Sequence, residues 1–155
     1  MILGSGNLTG GENMIYTVKI EQTFAYPKRM KYVPKTDTFI EKDCNSLSYV
    51  RNVRQPYGWI KESGTPPCEH LDVIVMTDKE YELGDEDRIK IIGVFCRNDG
   101  DNKLVGVLCD RDINDFSELT DTEKFRFDGV GGSVSKFVIE PDGKVIARYV
   151  NQRVC

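Results

Sequence analysis

The chain has 155 residues and a formal net charge of −4, from 21 lysines and arginines against 25 aspartates and glutamates. This length suits one domain with one hydrophobic core, and the acidic balance argues against a nucleic-acid ligand held mainly through its phosphates. No apolar run approaches the roughly 20 residues that a membrane-spanning helix needs, so we expect no membrane partner.

The first residues and the cysteines bear on the cellular location of the protein. Residues 1–13 are rich in small polar residues and lack a basic segment followed by a long apolar one, which predicts a flexible lead rather than a signal peptide. Residues 14–155 are then predicted to form a single domain. The chain has five cysteines, with no pair at CxxC spacing: Cys44, Cys68, Cys96, Cys109 and Cys155. This pattern favours free thiols, a cytoplasmic location and no zinc site.

In chain order, the first segments favour strands. Met14–Glu21 alternates between apolar and polar residues. Arg29–Val33 and Thr38–Lys42 flank a Pro-Lys-Thr-Asp sequence, which is typical of a hairpin turn. A tyrosine–glycine turn at Tyr57 and Gly58 is then expected to lead into an acidic loop.

The strongest strand signals lie in the middle of the chain. Asp72–Met76 contains a short, continuous apolar run, which is typical of a strand buried on both faces. Arg88–Cys96 and Lys103–Leu108 are rich in β-branched residues and are separated by a polar loop. Helix is expected only around Ile113–Phe125. Three residues are the candidate helix caps there: Asp112, Asn114 and Thr120.

Near its end the chain has a Pro-Asp-Gly turn at residues 141–143 between two apolar segments, which predicts a C-terminal β-hairpin. Together the segments predict a mainly β fold of the α+β class. The expected architecture is a small, closed, antiparallel β-barrel of the OB-like type with one or two short helices.

Four acidic residues beside the central strands carry the first functional hypothesis. Glu69 and Asp72 lie at the start of one buried strand, and the loop between the next two strands contains Asp99 and Asp101. If these strands are neighbours, the four carboxylates meet at one end of the barrel and offer the oxygen ligands that Mg²⁺ prefers. Bound Mg²⁺ also reverses the local charge, which suits an anionic substrate. The alternative is that these acids belong to solvated turns and that Asp72 caps a neighbouring loop.

Three lysines are candidates for phosphate binding, each at a strand end or within a strand, where its side chain is expected to reach across the mouth of the barrel: Lys31, Lys42 and Lys103. Lysine binds phosphate as a point charge, although lysines also protect exposed strand edges. The hydroxyl of Tyr57 is a further candidate donor, with half-buried packing as the alternative. His70 is the only histidine. It receives no catalytic role, because a nucleophile pair of Cys68 and His70 lacks a third, orienting group.

The ordered set of segments resembles the family I soluble inorganic pyrophosphatases. The matching stretches are KYVPKTDTFIEK, YGWI, PCEHLDVIV, GDEDRIKIIGV and DNKLVGV, over roughly residues 21–119. The resemblance implies a Mg²⁺ cofactor and the hydrolysis of pyrophosphate, or a related phosphorylated small molecule, by metal-activated water. One alternative is a catalytically degenerate module of this fold that binds a phosphorylated ligand or a protein partner. Another is a β-barrel interaction domain with no small-molecule site.

The resemblance also implies a role for each candidate residue. The catalytic residues would be Glu69, Asp72 and Tyr57. The substrate-binding residues would be Lys31, Lys42, Tyr57 and Lys103. The metal ligands would be Glu69, Asp72, Asp99 and Asp101. In addition, Glu21 corresponds to an early active-site glutamate of the family, and Lys42 stands where the family has an arginine.

Several positions depart from the family pattern. Pro67 stands where the loop DGDPxDV has its first acid, and Val33 and Val53 stand where a glutamate and a tyrosine are expected. The late tyrosine–lysine pair of the family has no counterpart. One preorganised donor is worth about 3 kcal/mol of transition-state stabilisation in well-studied sites, so these losses weaken the expected catalysis. The resemblance also suggests a homo-oligomer, which the altered C-terminal region leaves open.

Overall fold

The computed structural model describes residues 15–46, 54–68, 70–97, 103–126 and 132–135, and for residues 96, 97 and 132–135 it describes the backbone alone. The predicted lead and the predicted C-terminal turn lie outside these ranges, so the domain limits stay predictions. Three of the predicted site residues also lie outside them: Glu69, Asp99 and Asp101.

Strands dominate the described part of the chain. They are β1 (Ile15–Gln22), β2 (Lys28–Val33), β3 (Thr38–Asn45), β4 (Tyr57–Ile60), β5 (Asp72–Val75), β6 (Glu86–Arg97), β7 (Lys103–Leu108) and β8 (Gly132–Ser135). The helical segments are short: two 3₁₀ helices at Lys61–Ser63 and Phe116–Glu118, and the α-helix α1 at Asp121–Phe125. This composition confirms the predicted mainly β class. None of the described helices is long and apolar enough to span a membrane.

Five of the strands close into a barrel in the order β1–β4–β5–β7–β6, because β6 pairs with β1 as well as with β7. The N-terminal half of β6 pairs with β1 and its C-terminal end pairs with β8. Strands β2 and β3 form a separate hairpin beside the barrel. The predicted closed barrel and the predicted hairpin are therefore confirmed. One pair within the barrel differs from the antiparallel expectation, since β5 and β7 run parallel.

Apolar side chains are sorted onto the two faces of the barrel wall. All five barrel strands contribute to an interior cluster: Val18, Ile20, Ile60, Leu71, Val73, Val75, Ile89, Ile91, Val94 and Leu104. A second cluster packs against Ile113 and Phe116, and its members are Met76, Ile92, Phe95, Val105, Val107 and Leu119. Because successive strand residues point to opposite faces, β7 contributes to both clusters. The continuous apolar runs of β5 and β7 are thus explained by burial on both faces.

Tyr57 and Gly58 belong to strand β4 and do not form the turn expected from the sequence. A Cβ added to Gly58 would collide with the backbone carbonyl of Lys19 in β1. Such a close backbone approach is a known reason for a glycine inside a strand. Gly58 thereby lets β1 and β4 pair in the barrel wall.

The predicted helical region is confirmed, with one change in its caps. Thr120 caps α1, and the side chain of Glu123 closes the capping box. Asp115 caps the preceding 3₁₀ helix, rather than the expected Asp112 or Asn114. Arg111 donates two hydrogen bonds of 2.7 Å to the carboxylate of Glu123, which ties α1 to the segment after β7.

Candidate functional site

The parallel pairing of β5 and β7 makes neighbours of Asp72 and Lys103, the first residues of these strands. Val73 pairs with Leu104 in this register. Lys103 Nζ donates to Asp72 Oδ2 at 2.9 Å, and each side chain is only 7% exposed. Since Val73 and Leu104 belong to the interior cluster, Asp72 and Lys103 lie on the outer face of the wall, not across the mouth of the barrel.

Tyr57 lies on the same face. It is opposite Ile74 in the antiparallel pair of β4 and β5, so Asp72 is its diagonal neighbour. Lys103 Nζ donates to Tyr57 Oη at 2.9 Å, and the Tyr57 hydroxyl also forms a hydrogen bond with Asp72. Three residues predicted from the sequence therefore come together here.

His70 is the functional candidate that the sequence argument left without a role. It is 5% exposed. Its Nδ1 lies 2.6 Å from the carbonyl oxygen of Cys68 and its Nε2 lies 3.1 Å from Asp72 Oδ1. The second contact is an ion pair when the ring is protonated. A carbonyl oxygen only accepts, so Nδ1 carries a proton. We call Tyr57, His70, Asp72 and Lys103 the Asp72 cluster.

The charges of the Asp72 cluster reinforce one another. Burial raises the pKa of Asp72, but a hydrogen bond from His70 and the charge of Lys103 outweigh it and hold the pKa well below its usual range. Burial lowers the pKa of His70, whereas its contacts with Asp72 and the Cys68 carbonyl raise it, and the net pKa lies above the ordinary value. Asp72 is therefore an ionised carboxylate in the neutral pH range.

Glu21 lies near this cluster. It is in β1, at an irregularity where the register against β4 shifts between Ile20 and Gln22. A bulge of this kind re-aims a side chain. The negative charge of Glu21 contributes to the raised pKa of His70, so the two side chains interact electrostatically.

Lys31 and Lys42 lie on the β2–β3 hairpin and are both exposed. Lys31 pairs with Ile40, so Lys31 and Lys42 share one face of the hairpin. The other face carries Tyr32, whose ring packs 4.8 Å from that of Trp59 between centroids and so holds the hairpin against the barrel. Among the described side chains, neither lysine forms a hydrogen bond or ion pair with the Asp72 cluster, so their phosphate-binding role stays a prediction.

Asp72 fits the chemistry of a magnesium ligand. Mg²⁺ prefers carboxylate oxygens, and the side chain of Asp72 is an ionised carboxylate in the neutral pH range. Over the ranges that the structure describes, no group of three or more potential ligands converges. The other proposed ligands, Glu69, Asp99 and Asp101, fall in the gaps between those ranges. The side chain of Pro67, which is exposed, offers no ligand.

The prediction that the cysteines are free thiols is wrong for Cys68, which is disulfide-bonded. Its partner lies outside the described side chains. Cys44 and Cys109 are free, as expected. A disulfide needs two Cα atoms about 4.4–6.8 Å apart, and this proximity is a property of the fold that cysteine spacing does not reveal. The cytoplasmic location stays a prediction.

The fold of the chain is that of solved inorganic pyrophosphatases. The inorganic pyrophosphatase of Neisseria gonorrhoeae has a TM-score of 0.64 at 22% identity, over 96% of this chain and 95% of that one. The inorganic pyrophosphatase of Ehrlichia chaffeensis has a TM-score of 0.61 at 20% identity, over 93% and 99%. The Helicobacter pylori protein has a TM-score of 0.61 at 15% identity, over 93% and 96%. No protein-family model matches the chain, and a search of curated proteins finds no match. Likeness at these identities establishes a shared fold, and function has to be argued from the site.

Proposed function

We propose that this chain is a Mg²⁺-dependent, cytoplasmic hydrolase of the inorganic pyrophosphatase type, which converts pyrophosphate to two phosphates. The observation that carries the proposal is the buried arrangement of Tyr57, Asp72 and Lys103 on a fold shared with inorganic pyrophosphatases. When bound, the metal would lower the pKa of a coordinated water molecule and neutralise part of the phosphate charge. The ligands we propose for it are Glu69, Asp72, Asp99 and Asp101.

The residues of the cluster have distinct tasks in this proposal. Asp72 presents an ionised oxygen in nearly dry surroundings, where charges interact more strongly than in water. Lys103 holds Asp72 through one N–H, and its ammonium charge attracts a phosphate oxygen. Tyr57 accepts a hydrogen bond from Lys103 and so keeps the ammonium group at the outer face of β7. These donors are in position before the substrate arrives, which is the arrangement that favours a transition state with developing charge.

Lys31 and Lys42, on the hairpin, are the further phosphate contacts in this proposal, and they would reach the anion from outside the Asp72 cluster. Both are exposed and share a face, so they offer two positive charges to one anion. The packing of Tyr32 on Trp59 limits the movement of the hairpin relative to the barrel. Point charges of this kind bind phosphate without demanding a fixed angle.

Phosphate release from pyrophosphate tests the proposal. We expect Mg²⁺-dependent release by the wild-type chain and loss of turnover in Asp72→Asn, because the amide keeps the shape of the side chain but removes its charge. Asp112→Asn, at an exposed position, is the matched control and should keep the wild-type rate.

A folded wild-type chain that releases no phosphate above background, with Mg²⁺ or several other divalent metals, would contradict the proposal. Metal-dependent binding of pyrophosphate by calorimetry without turnover would instead identify the chain as the degenerate binding module.

A further inference from the structure

His70 is held at both nitrogens of its ring. Nδ1 contacts the backbone carbonyl of Cys68 at 2.6 Å, and Nε2 lies 3.1 Å from Asp72 Oδ1. The ring is 5% exposed, so the surrounding protein also restricts it. A ring tied to the backbone at one nitrogen has a defined orientation, and the other nitrogen then has a defined target.

Asp72 in turn is held at both of its oxygens. Lys103 Nζ donates to Oδ2 at 2.9 Å, and His70 faces Oδ1. The terminal torsion of an aspartate has no sharp minima, so its contacts decide the plane of the carboxylate. The contact with Lys103 restrains one oxygen, and the contact with His70 restrains the second.

We propose that His70 is a positioning residue that sets the plane of the Asp72 carboxylate for a divalent cation. The inference rests on the proposed function, because it takes Asp72 as a metal ligand. His70 itself touches neither metal nor substrate in this role. Groups that orient a metal-binding side chain in this way typically change metal affinity by roughly 10–100-fold when they are removed.

Two substitutions separate the two contacts of the ring. Glutamine carries its amide N–H close to the position of Nε2, whereas asparagine carries it close to the position of Nδ1. His70→Gln therefore keeps a donor for Asp72, and His70→Asn keeps a donor for the Cys68 carbonyl only. Both replacements are neutral amides, so a difference between them reports on the contact with Asp72.

The measurement is Mg²⁺ binding by calorimetry in the absence of substrate, with thermal unfolding of each variant alongside. We expect His70→Asn to bind Mg²⁺ roughly 10–100-fold more weakly than the wild type, and His70→Gln to bind close to the wild type. His70 is the only histidine of the chain, so its imidazole NMR signals need no assignment. In the wild type they should shift when Mg²⁺ is added.

The outcomes distinguish this inference from the proposed function. Equal Mg²⁺ affinity in the wild type and His70→Asn, in a chain that hydrolyses pyrophosphate, overturns the inference and leaves the function standing. Equal weakening in both variants, with a matching loss of thermal stability, also overturns it, because His70 then only supports the loop. A wild type that neither binds Mg²⁺ nor releases phosphate overturns both.

Discussion

Lys103 and Asp72 form an ion pair that is almost completely removed from water. Burying two charges costs several kcal/mol per ion, and the pair recovers this cost only when further hydrogen bonds satisfy both groups. Tyr57 and His70 provide those contacts. A buried pair of this kind is a poor means of stabilising a fold, and perturbed titratable groups cluster at functional sites, so its presence favours a functional role.

Lys103→Met should destabilise the protein by about 3–5 kcal/mol, because it leaves the Asp72 carboxylate buried without its main cation. Urea unfolding measures the change. Lys42→Met is the matched control: Lys42 is exposed, and surface substitutions usually stay within about 0.5 kcal/mol. Equal effects of the two substitutions would mean that the Asp72–Lys103 pair is not buried in solution.

The site was predictable from the sequence only in part. Residue types and order suggested Tyr57, Asp72 and Lys103, and the structure brings all three together. The contact itself depends on the pairing of β5 with β7, which are not consecutive in the chain. His70 was missed because a lone histidine has many structural roles. The available signal was its spacing, since residues two apart in an extended segment share a face.

Among the elements, β4 illustrates how a glycine misleads a prediction based on sequence. Glycine is frequent in turns because it tolerates a positive φ, but it also occurs in strands where two backbones come close. Gly58 is of the second kind, because the Lys19 carbonyl occupies the space of a side chain. Strand β7, by contrast, has the predicted limits of Lys103–Leu108.

Gly58→Ala should cost at least the roughly 1–3 kcal/mol typical of overpacked cores, because its methyl group meets backbone atoms that move only if β1 separates from β4. Gly106→Ala is the comparison. Its methyl group would meet the end of the Ile89 side chain at 3.1 Å and the Lys90 carbonyl oxygen at 3.2 Å, and both contacts need far smaller adjustments than the collision at Gly58. Chemical denaturation of both variants measures the two losses of stability. A larger loss of stability in Gly106→Ala than in Gly58→Ala would contradict the prediction.

For the whole molecule, the sequence predicted the class and the closed barrel, whereas the order of the strands came only from the structure. Alternating and continuous apolar runs specify which strands are buried on one or both faces. They do not specify that β5 lies between β4 and β7, or that β6 meets β1. Those neighbours decide where the acids and lysines meet, and so the fold class was easier to predict than the site.

Lowering the pH should reduce the free energy of unfolding, because Glu123 becomes protonated. Hydrogen bonds from Arg111, opposed by burial, lower the pKa of Glu123 from 4.5 to about 2. A carboxyl group with a lowered pKa stabilises the fold fully above its unfolded pKa, and this contribution is lost as the pH falls towards the folded pKa. The loss therefore falls between about pH 4.5 and pH 2.

Glu123→Gln tests this contribution, since glutamine still closes the capping box of α1 but carries no charge. Urea unfolding at a series of pH values should give a shallower decline below pH 4.5 for the variant than for the wild type. Parallel curves for the two proteins would rule out a role of Glu123 in acid unfolding.

The seam between β1 and β6 has a consequence for the order of folding. Ile15 pairs with Lys90 across this seam, so the first described strand must remain without one of its partners until most of the barrel has been synthesised. Closing a loop of this length precedes any gain from the contacts it permits, and such topologies fold slowly. During that interval the free edge of β1 is open to pairing with other chains. Of the described strands, the one that leaves the ribosome first is thus among the last to gain all of its partners.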